Sequence, residues 1–177
     1  MNYVIRPALL SETAAISELI AASARGLSRE HYSVEQIEAA VLGIFGVDSE
    51  LIHDGTYFVA EENEQLIGCG GWSQRRTLFG GDQAASRECG KLDPEVDAAR
   101  IRAFFVHPNW ARRGVATALL DCCEKGAAAA GFRALELMST LPGVAFYRAK
   151  GYETSAPILY ETSGLSLKFV PMRKRLH

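Results

Sequence analysis

Cysteine is scarce in this sequence: four residues in 177, Cys69, Cys89, Cys122 and Cys123, at no C-x-x-C spacing. That excludes a disulfide-built scaffold, and adjacent Cys122 and Cys123 read as small helix residues rather than a redox pair. No apolar run approaches the roughly 20 residues of a membrane span. The start, MNYVIRPALLSETAA, lacks a basic stretch followed by an apolar core, so no signal peptide is expected and a cytoplasmic location is. Excess charge of either sign is missing too. Nineteen Lys and Arg against 21 Asp and Glu leave a net charge of −2, which gives no reason to expect nucleic acid as a partner. His31, His53, His107 and His177 stand at no ligand spacing, so no metal is expected. Cys69 and Ser73 flank Trp72 without a G-x-S-x-G elbow or a nearby histidine, which removes the usual nucleophile signature.

What is present is an ordinary soluble composition, 48% hydrophobic and 23% charged, in a chain long enough for one sizeable core. A single domain over residues 1–177 is expected. "YVIRPA" reads as a strand ended near Pro7. Ser11 is placed to cap a helix carrying Ile16, Leu19, Ile20 and Leu27, with Glu12 in its first turn. Ser33 and Gln36 have the spacing of a capping box for a second helix with Ile37, Val41 and Leu42. "TYFVAEENEQLIGCGGWS" reads as a hairpin turning at Glu62–Glu64, and glycines 68, 70 and 71 predict a bulge or a close backbone approach.

Residues 74–99 show little periodicity, a length that usually signals function or mobility in a compact domain. Asp93 and Pro94 predict a short helix over Pro94–Ala99. "RIRAFFV" is a strand ending at His107-Pro108. The next helix places Val115, Ala118, Leu119, Cys122 and Gly126 on one stripe and stops at Gly131. "ALELMS" is a strand, "GVAFYRAK" a short helix stopped by Gly151, and Tyr152–Ile158 and Leu165–Met172 read as closing strands. The order implies an α/β or α+β fold around a mixed, mostly antiparallel central sheet.

One stretch carries chemistry: "VHPNWARRGVATALL", Val106–Leu120. An apolar strand leaves through His-Pro and returns as a helix whose start offers two arginines, a glycine and small residues instead of a side-chain cap. The first N–H groups of a helix have no intrahelical partner, and the macrodipole adds partial positive charge there. An anion fits, and a diphosphate fits better than a lone carboxylate. Neither G-x-G-x-x-G nor G-x-x-x-x-G-K-[ST] is present. Taken alone, a solvated Arg-Arg turn explains the stretch equally well.

The downstream "STLPGVAFYRAKGYE" decides between them. The pair resembles the GNAT family, the GCN5-related N-acetyltransferases: "FFVHPNWARRGVATALL" is similar to its acetyl-CoA motif and "AFYRAKGYE" to its closing F-Y-x-x-x-G-[FY] motif. The resemblance follows the whole chain in element order and is strongest residue by residue from Arg100 to Glu153. It implies a GNAT acyl-CoA N-acyltransferase fold and transfer of acetyl from acetyl-CoA, as co-substrate, to a small-molecule or peptide amine. By the same resemblance, main-chain groups of Phe104, Phe105 and Val106 on a splayed strand bind the acetyl and pantetheine arm. Arg112, Arg113, Gly114, Val115, Ala116 and Thr117 wrap the pyrophosphate, and Tyr147 protonates the departing thiolate. The alternative for Tyr147 is a core hydroxyl bonded to backbone. Thr140 stands where many members have an Asn on the cofactor arm, with shorter reach.

Two departures stand out. Ala111 occupies the motif position usually held by Gln or Arg, and Arg100 the strand position where some members carry a glutamate base. Glu61, Glu62 and His107 are alternative bases working through water, and no spacing singles one out. Trp72 and Trp110 read as packing or pocket wall. "SQRRTLFGGD", Ser73–Asp82, reads equally as a substrate wall or a solvated loop, and Arg75, Arg76, Arg100 and Arg102 together suggest an anion-bearing acceptor. A homodimer is left open. The rival functions are a non-catalytic acyl-CoA sensor and a nucleotide- or phosphate-binding regulator.

Overall fold

The structure is a computed structural model that describes residues 2–85 and 87–176. Strand β1 (Val4–Pro7) leads through a 3-10 turn at Leu10–Glu12 into helix α1 (Thr13–Leu27). Ser11 does not cap it. The Glu12 carboxylate instead accepts from the Leu9 N–H at 2.8 Å and is held by Arg6 of β1, fixing the chain one turn earlier than the Ser pattern suggested. Ile16, Leu19, Ile20, Ser23 and Ala24 form its buried stripe, whereas Leu27 is exposed at the helix end. Helix α2 (Val34–Gly43) starts with the expected box: Ser33 Oγ accepts from Gln36 N at 3.2 Å and Gln36 Oε1 from Ser33 N at 2.9 Å. Ile37 is buried and Leu42 faces solvent. Helix α3 (Ser49–His53) was not expected, because one short turn leaves too few residues for a periodic signal.

The hairpin of β2 (Tyr57–Glu62) and β3 (Gln65–Ser73) turns on Asn63 and Glu64, both at positive φ, a two-residue turn whose twist matches the strands. Residues 74–98 then make a pinned excursion. Thr77 Oγ1 donates to Glu88 O and accepts from Glu88 N, and Leu92 N donates to Gln74 O. No helix forms over Pro94–Ala99. Asp97 closes a single turn on Asp93, its Oδ2 accepting from Asp93 N and its N–H donating to Asp93 O, both at 2.8 Å, and the chain enters β4 (Ala99–Val106) directly.

A 3-10 turn at Pro108–Trp110 precedes helix α4 (Val115–Ala129), followed by β5 (Ala134–Thr140) and helix α5 (Val144–Ala149). The buried stripe of α4 is Val115, Leu119, Leu120, Cys123 and Ala127, so Cys123 rather than Cys122 faces the core, and Ala118 is half-buried. Gly126 belongs to the packed face: a Cβ there would meet Trp72 Nε1 at 2.5 Å. The expected strand Tyr152–Ile158 is two pieces, β6 (Glu153–Thr154) and β7 (Ile158–Thr162), broken around Pro157. Both pair with β8 (Leu165–Arg175).

Among the described residues, eight strands form one sheet in the order β1-β2-β3-β4-β5-β8-β6, with β7 also on β8. All pairings are antiparallel except β4 with β5. Strand alternation divides the core. Val59 of β2 packs with Ile16, Leu19 and Ile20 of α1, while its neighbour Ala60 packs with Val115 and Leu119 of α4 on the opposite face. Among the described residues, no helix is long and apolar enough to cross a membrane.

Candidate active site

The one parallel pairing fails early. β4 and β5 match only at Ala99 with Leu135 and Arg100 with Glu136; beyond these pairs the strands part, and β5 continues on β8 alone. The β5 side of β4 is therefore left without a strand partner from Ile101 onward, so its backbone groups face open space. A bulge sharpens the split. Between Arg102–Gly71 and Phe105–Cys69, β4 has Ala103 and Phe104 where β3 has only Gly70. Ala103 takes φ 49°, and Tyr57 Oη donates to its carbonyl at 3.0 Å, holding the kink from beneath. The expected close approach is real at two glycines. A Cβ on Gly70 would overlap the Phe104 ring, and one on Gly68 would meet Val115 Cγ1 of α4 at 2.7 Å.

At the mouth of the split lies the start of α4. Gly114, at φ 84°, is its N-cap, no side chain caps it, and the first helical bond runs from Ala118 N to Gly114 O. The N–H groups of Val115, Ala116 and Thr117 thus have no intrahelical acceptor. Arg112 approaches this end at φ 61°, a conformation that L residues adopt only under constraint.

A cavity of about 780 Å3 occupies the split. Phe104, Phe105, Val106, Arg112, Gly114, Ala116, Thr117, Thr140 and Tyr147 all line it. Arg113 and Val115 do not: the Arg113 guanidinium lies 5.1 Å from the Trp110 ring centroid, and the Val115 side chain is core. Trp110 is cavity wall, and Trp72 is core packing against Phe132.

Tyr147 is 8% exposed, wedged edge-on among Phe104, Phe146 and Tyr152. Its hydroxyl has no hydrogen-bond partner among the described residues, so it is not a core hydroxyl tied to backbone. Burial pushes its pKa well above a phenol's ordinary value, with the Cys123 thiol adding to the effect. The proton is firmly held and the donor is free.

The charged residues singled out in the sequence are mostly spent elsewhere. Arg75 forks onto Asp54 with two bonds of 2.7 Å, Arg76 is exposed, and Arg100 pairs with Glu136; none of the three lines the cavity. Glu61 is held by Arg6, Glu62 accepts from Asn2 N, and His107 Nδ1 accepts from Asn109 N, so none of the three base candidates lines it either. Of the arginine group, only Arg102 reaches the cavity. From the 74–99 segment, Phe79, Gly80 and Gly81 do. Sequence reasoning passed over Phe146, whose ring stacks 6.5 Å from Phe104, although it sits inside the closing motif. It also missed Ser28 and Phe169, which arrive from distant elements without a local signal. No group of three or more His, Cys, Asp or Glu residues placed to hold a metal ion occurs among the described residues, and His177 lies outside them.

An open mixed sheet, split beside an uncapped helix end, defines an α/β protein built around one cleft. The chain belongs to the acetyltransferase (GNAT) family, whose model matches residues 16–152. Solved structures agree on the fold. A GCN5-related N-acetyltransferase from Rhodopseudomonas palustris is 23% identical with a TM-score of 0.74, over 99% of this chain and 97% of that one. PaiA N-acetyltransferase from Thermoplasma acidophilum, solved in complex with coenzyme A, is 17% identical with a TM-score of 0.66, over 99% and 100%. YncA from Salmonella typhimurium, a putative acetyltransferase solved with acetyl-CoA, is 18% identical with a TM-score of 0.62, over 100% and 95%. No curated protein sequence matches the chain.

Proposed function

We propose that this protein transfers acetyl from acetyl-CoA to a primary amine by direct attack of the neutral amine on the thioester. The observation that carries the reading is one cavity that brings together an unpaired β4 edge, an uncapped helix start and a partnerless phenol at Tyr147. Relatives of the same fold solved with coenzyme A and acetyl-CoA support it. Acetyl-CoA fits: a slot between splayed strands takes a long arm, and free N–H groups at a helix N-terminus take phosphates. When bound, it supplies an acyl group already activated as a thioester.

The residues divide the work. N–H groups of Val115, Ala116 and Thr117, with the Arg112 charge, hold the diphosphate, and Arg113 adds charge at the rim. The backbone of Phe104, Phe105 and Val106 aligns the arm and stabilises negative charge developing on the acyl oxygen. Thr140, at the end of β5, offers a hydroxyl to the arm. Tyr147 donates its hydrogen bond to the departing sulfur. As the amide C–N bond forms and the C–S bond breaks, its proton passes to sulfur and is replaced by the one leaving nitrogen, directly or through solvent.

None of the described residues lining the cavity is Asp, Glu or His. The amine therefore loses its ammonium proton to solvent before attack. A screen of CoA-thiol release against monoamines, polyamines, aminoglycosides, amino acids and peptides tests the reading. It expects release with at least one class; tight CoA binding with no release from any would identify an acyl-CoA sensor instead.

A further inference from the structure

We propose that the acceptor is a monoamine carrying a carboxylate and an apolar side chain, in chemical terms an apolar amino acid, and that Arg102 receives its carboxylate. The inference rests on the acetyl-transfer reading and narrows it. The end of the cavity away from α4 is walled by Phe45, Phe79 and Phe169, whose rings pack with centroids 5.9–6.3 Å apart around Phe169. The described lining residues include no carboxylate. A polyamine, an aminoglycoside or a lysine-rich peptide would bring further ammonium charges and meet no counter-charge on this wall.

Arg102 is the charged group that this end does offer. Its side chain is 1% exposed, and its donors are only partly used. Nη2 donates to Gly80 O at 2.7 Å and lies 2.5 Å from Asp48 Oδ2. Nε and Nη1 are buried with no hydrogen-bond partner among the described residues. A guanidinium has five N–H donors in a fixed fork, and buried ones rarely go unbonded.

Asp48 does not use them up, because it is shared. Fully buried, it also accepts from Arg87 Nη2 at 3.1 Å, while Arg87 Nη1 donates to Gly81 O at 3.1 Å and the guanidinium also meets Glu50 and Asp82. Arg102 and Arg87 thus meet at Asp48, and because Glu50 and Asp82 also answer Arg87, the unspent donors are those of Arg102. A ligand carboxylate that displaces the Gly80 carbonyl gains Nη2 and the unspent Nη1 together, the bidentate pairing that arginine favours. The turn it displaces is glycine on both sides, Gly80 at φ 95° and Gly81, which packs against the Gly46 backbone too closely for a side chain. The amine of such an acceptor extends from this anchor toward the β4 edge, and its side chain lies on the three phenylalanines.

The test compares leucine, methionine and phenylalanine with their carboxamides and with spermidine, reading kcat/KM for the full chain with acetyl-CoA. At least one free acid is expected to exceed its amide by about tenfold or more, the scale of a hydrogen-bonded charge. The amide's amine is the less basic, so chemistry alone would favour the amide. Arg102→Lys keeps the charge and loses the fork. It should raise the KM of the acid, leave the amide and acetyl-CoA KM values in place, and so erase the preference. The wild-type comparison decides even if that variant folds poorly. Equal use of acids and amides, or a preference for spermidine, overturns this inference while leaving acetyl transfer intact. Release with no amine of any kind overturns both.

Discussion

Tyr147 shows how much a single side chain owes to its surroundings. Three aromatic rings fix its position, and its hydroxyl makes no hydrogen bond to a described residue. Tyr147→Phe keeps the packing and removes the donor. The expected result is a fall in kcat of about 100-fold or more with an unchanged acetyl-CoA KM, measured on a chemistry-limited acceptor. Unchanged turnover would return Tyr147 to a packing role. Its raised pKa has a definite sign: the group stays protonated through the range where an ordinary phenol, near about 10, begins to ionise. No loss of kcat traceable to Tyr147 is therefore expected up to that pH, and a falling limb below it that disappears in Tyr147→Phe would contradict the burial argument.

At the scale of elements, the decisive feature is backbone left unpaired, which explains what could be read in advance. The α4 start was legible because bare backbone demands small residues: Gly114 at positive φ, then Val115 and Ala116. The capping box at Ser33 and the hairpin at Asn63–Glu64 were legible for the same reason, as local geometry written in local residues. The proposed acceptor wall was legible only in part: Arg102 and the Ser73–Asp82 stretch that holds Phe79 stood out, whereas Phe45 and Phe169 come from separated segments with no local signal. The partners of Arg75, Arg100 and Glu61 were not legible, because ion pairs between distant residues leave no spacing. Gly70 tests the bulge. An alanine there must push the Phe104 ring from the cavity wall, so Gly70→Ala should raise the acetyl-CoA KM and cost about 1–3 kcal/mol of stability by overpacking. A variant with wild-type KM and denaturation midpoint would show that the ring position does not matter.

The Arg6–Glu12 pair ties β1 to the start of α1 and carries a pH signature. The hydrogen bond from Arg6 lowers the Glu12 pKa from its ordinary 4.5, against a smaller opposing cost of burial. Its contribution is therefore complete above that value and drains away as pH falls through the lower folded-state value. Glu12→Gln should lower stability by about 1 kcal/mol or less at pH 7, given partial exposure, and the difference should vanish in acid. Denaturant melts at both pH values check the sign. A gap that persists at low pH would mean that packing, not charge, holds this corner.

At the scale of the whole molecule, one sheet splits once, and the proposed function rests on what the split exposes. On the proposed direct attack, with no acid or imidazole among the described lining residues, the acceptor's own basicity is expected to set the pH dependence. An alkylammonium with a pKa of roughly 10.4 is neutral in only about one molecule per thousand at pH 7, so kcat/KM should rise tenfold per pH unit on its acid side. That limb should shift from acceptor to acceptor with amine pKa; a limb fixed at one pH for all of them would reveal a dedicated base. The central claim, that the split and the α4 start hold acetyl-CoA, is met most directly by calorimetry of CoA binding to the wild type and to Ala116→Glu. Ala116 lies in the first turn of α4 and lines the cavity, where a glutamate suits the helix dipole and should leave the melting temperature unchanged or higher. Its carboxylate would stand beside the diphosphate, a like-charge cost of several kcal/mol, so binding should weaken by about 100-fold or more. Wild-type affinity in a folded Ala116→Glu protein would contradict the account.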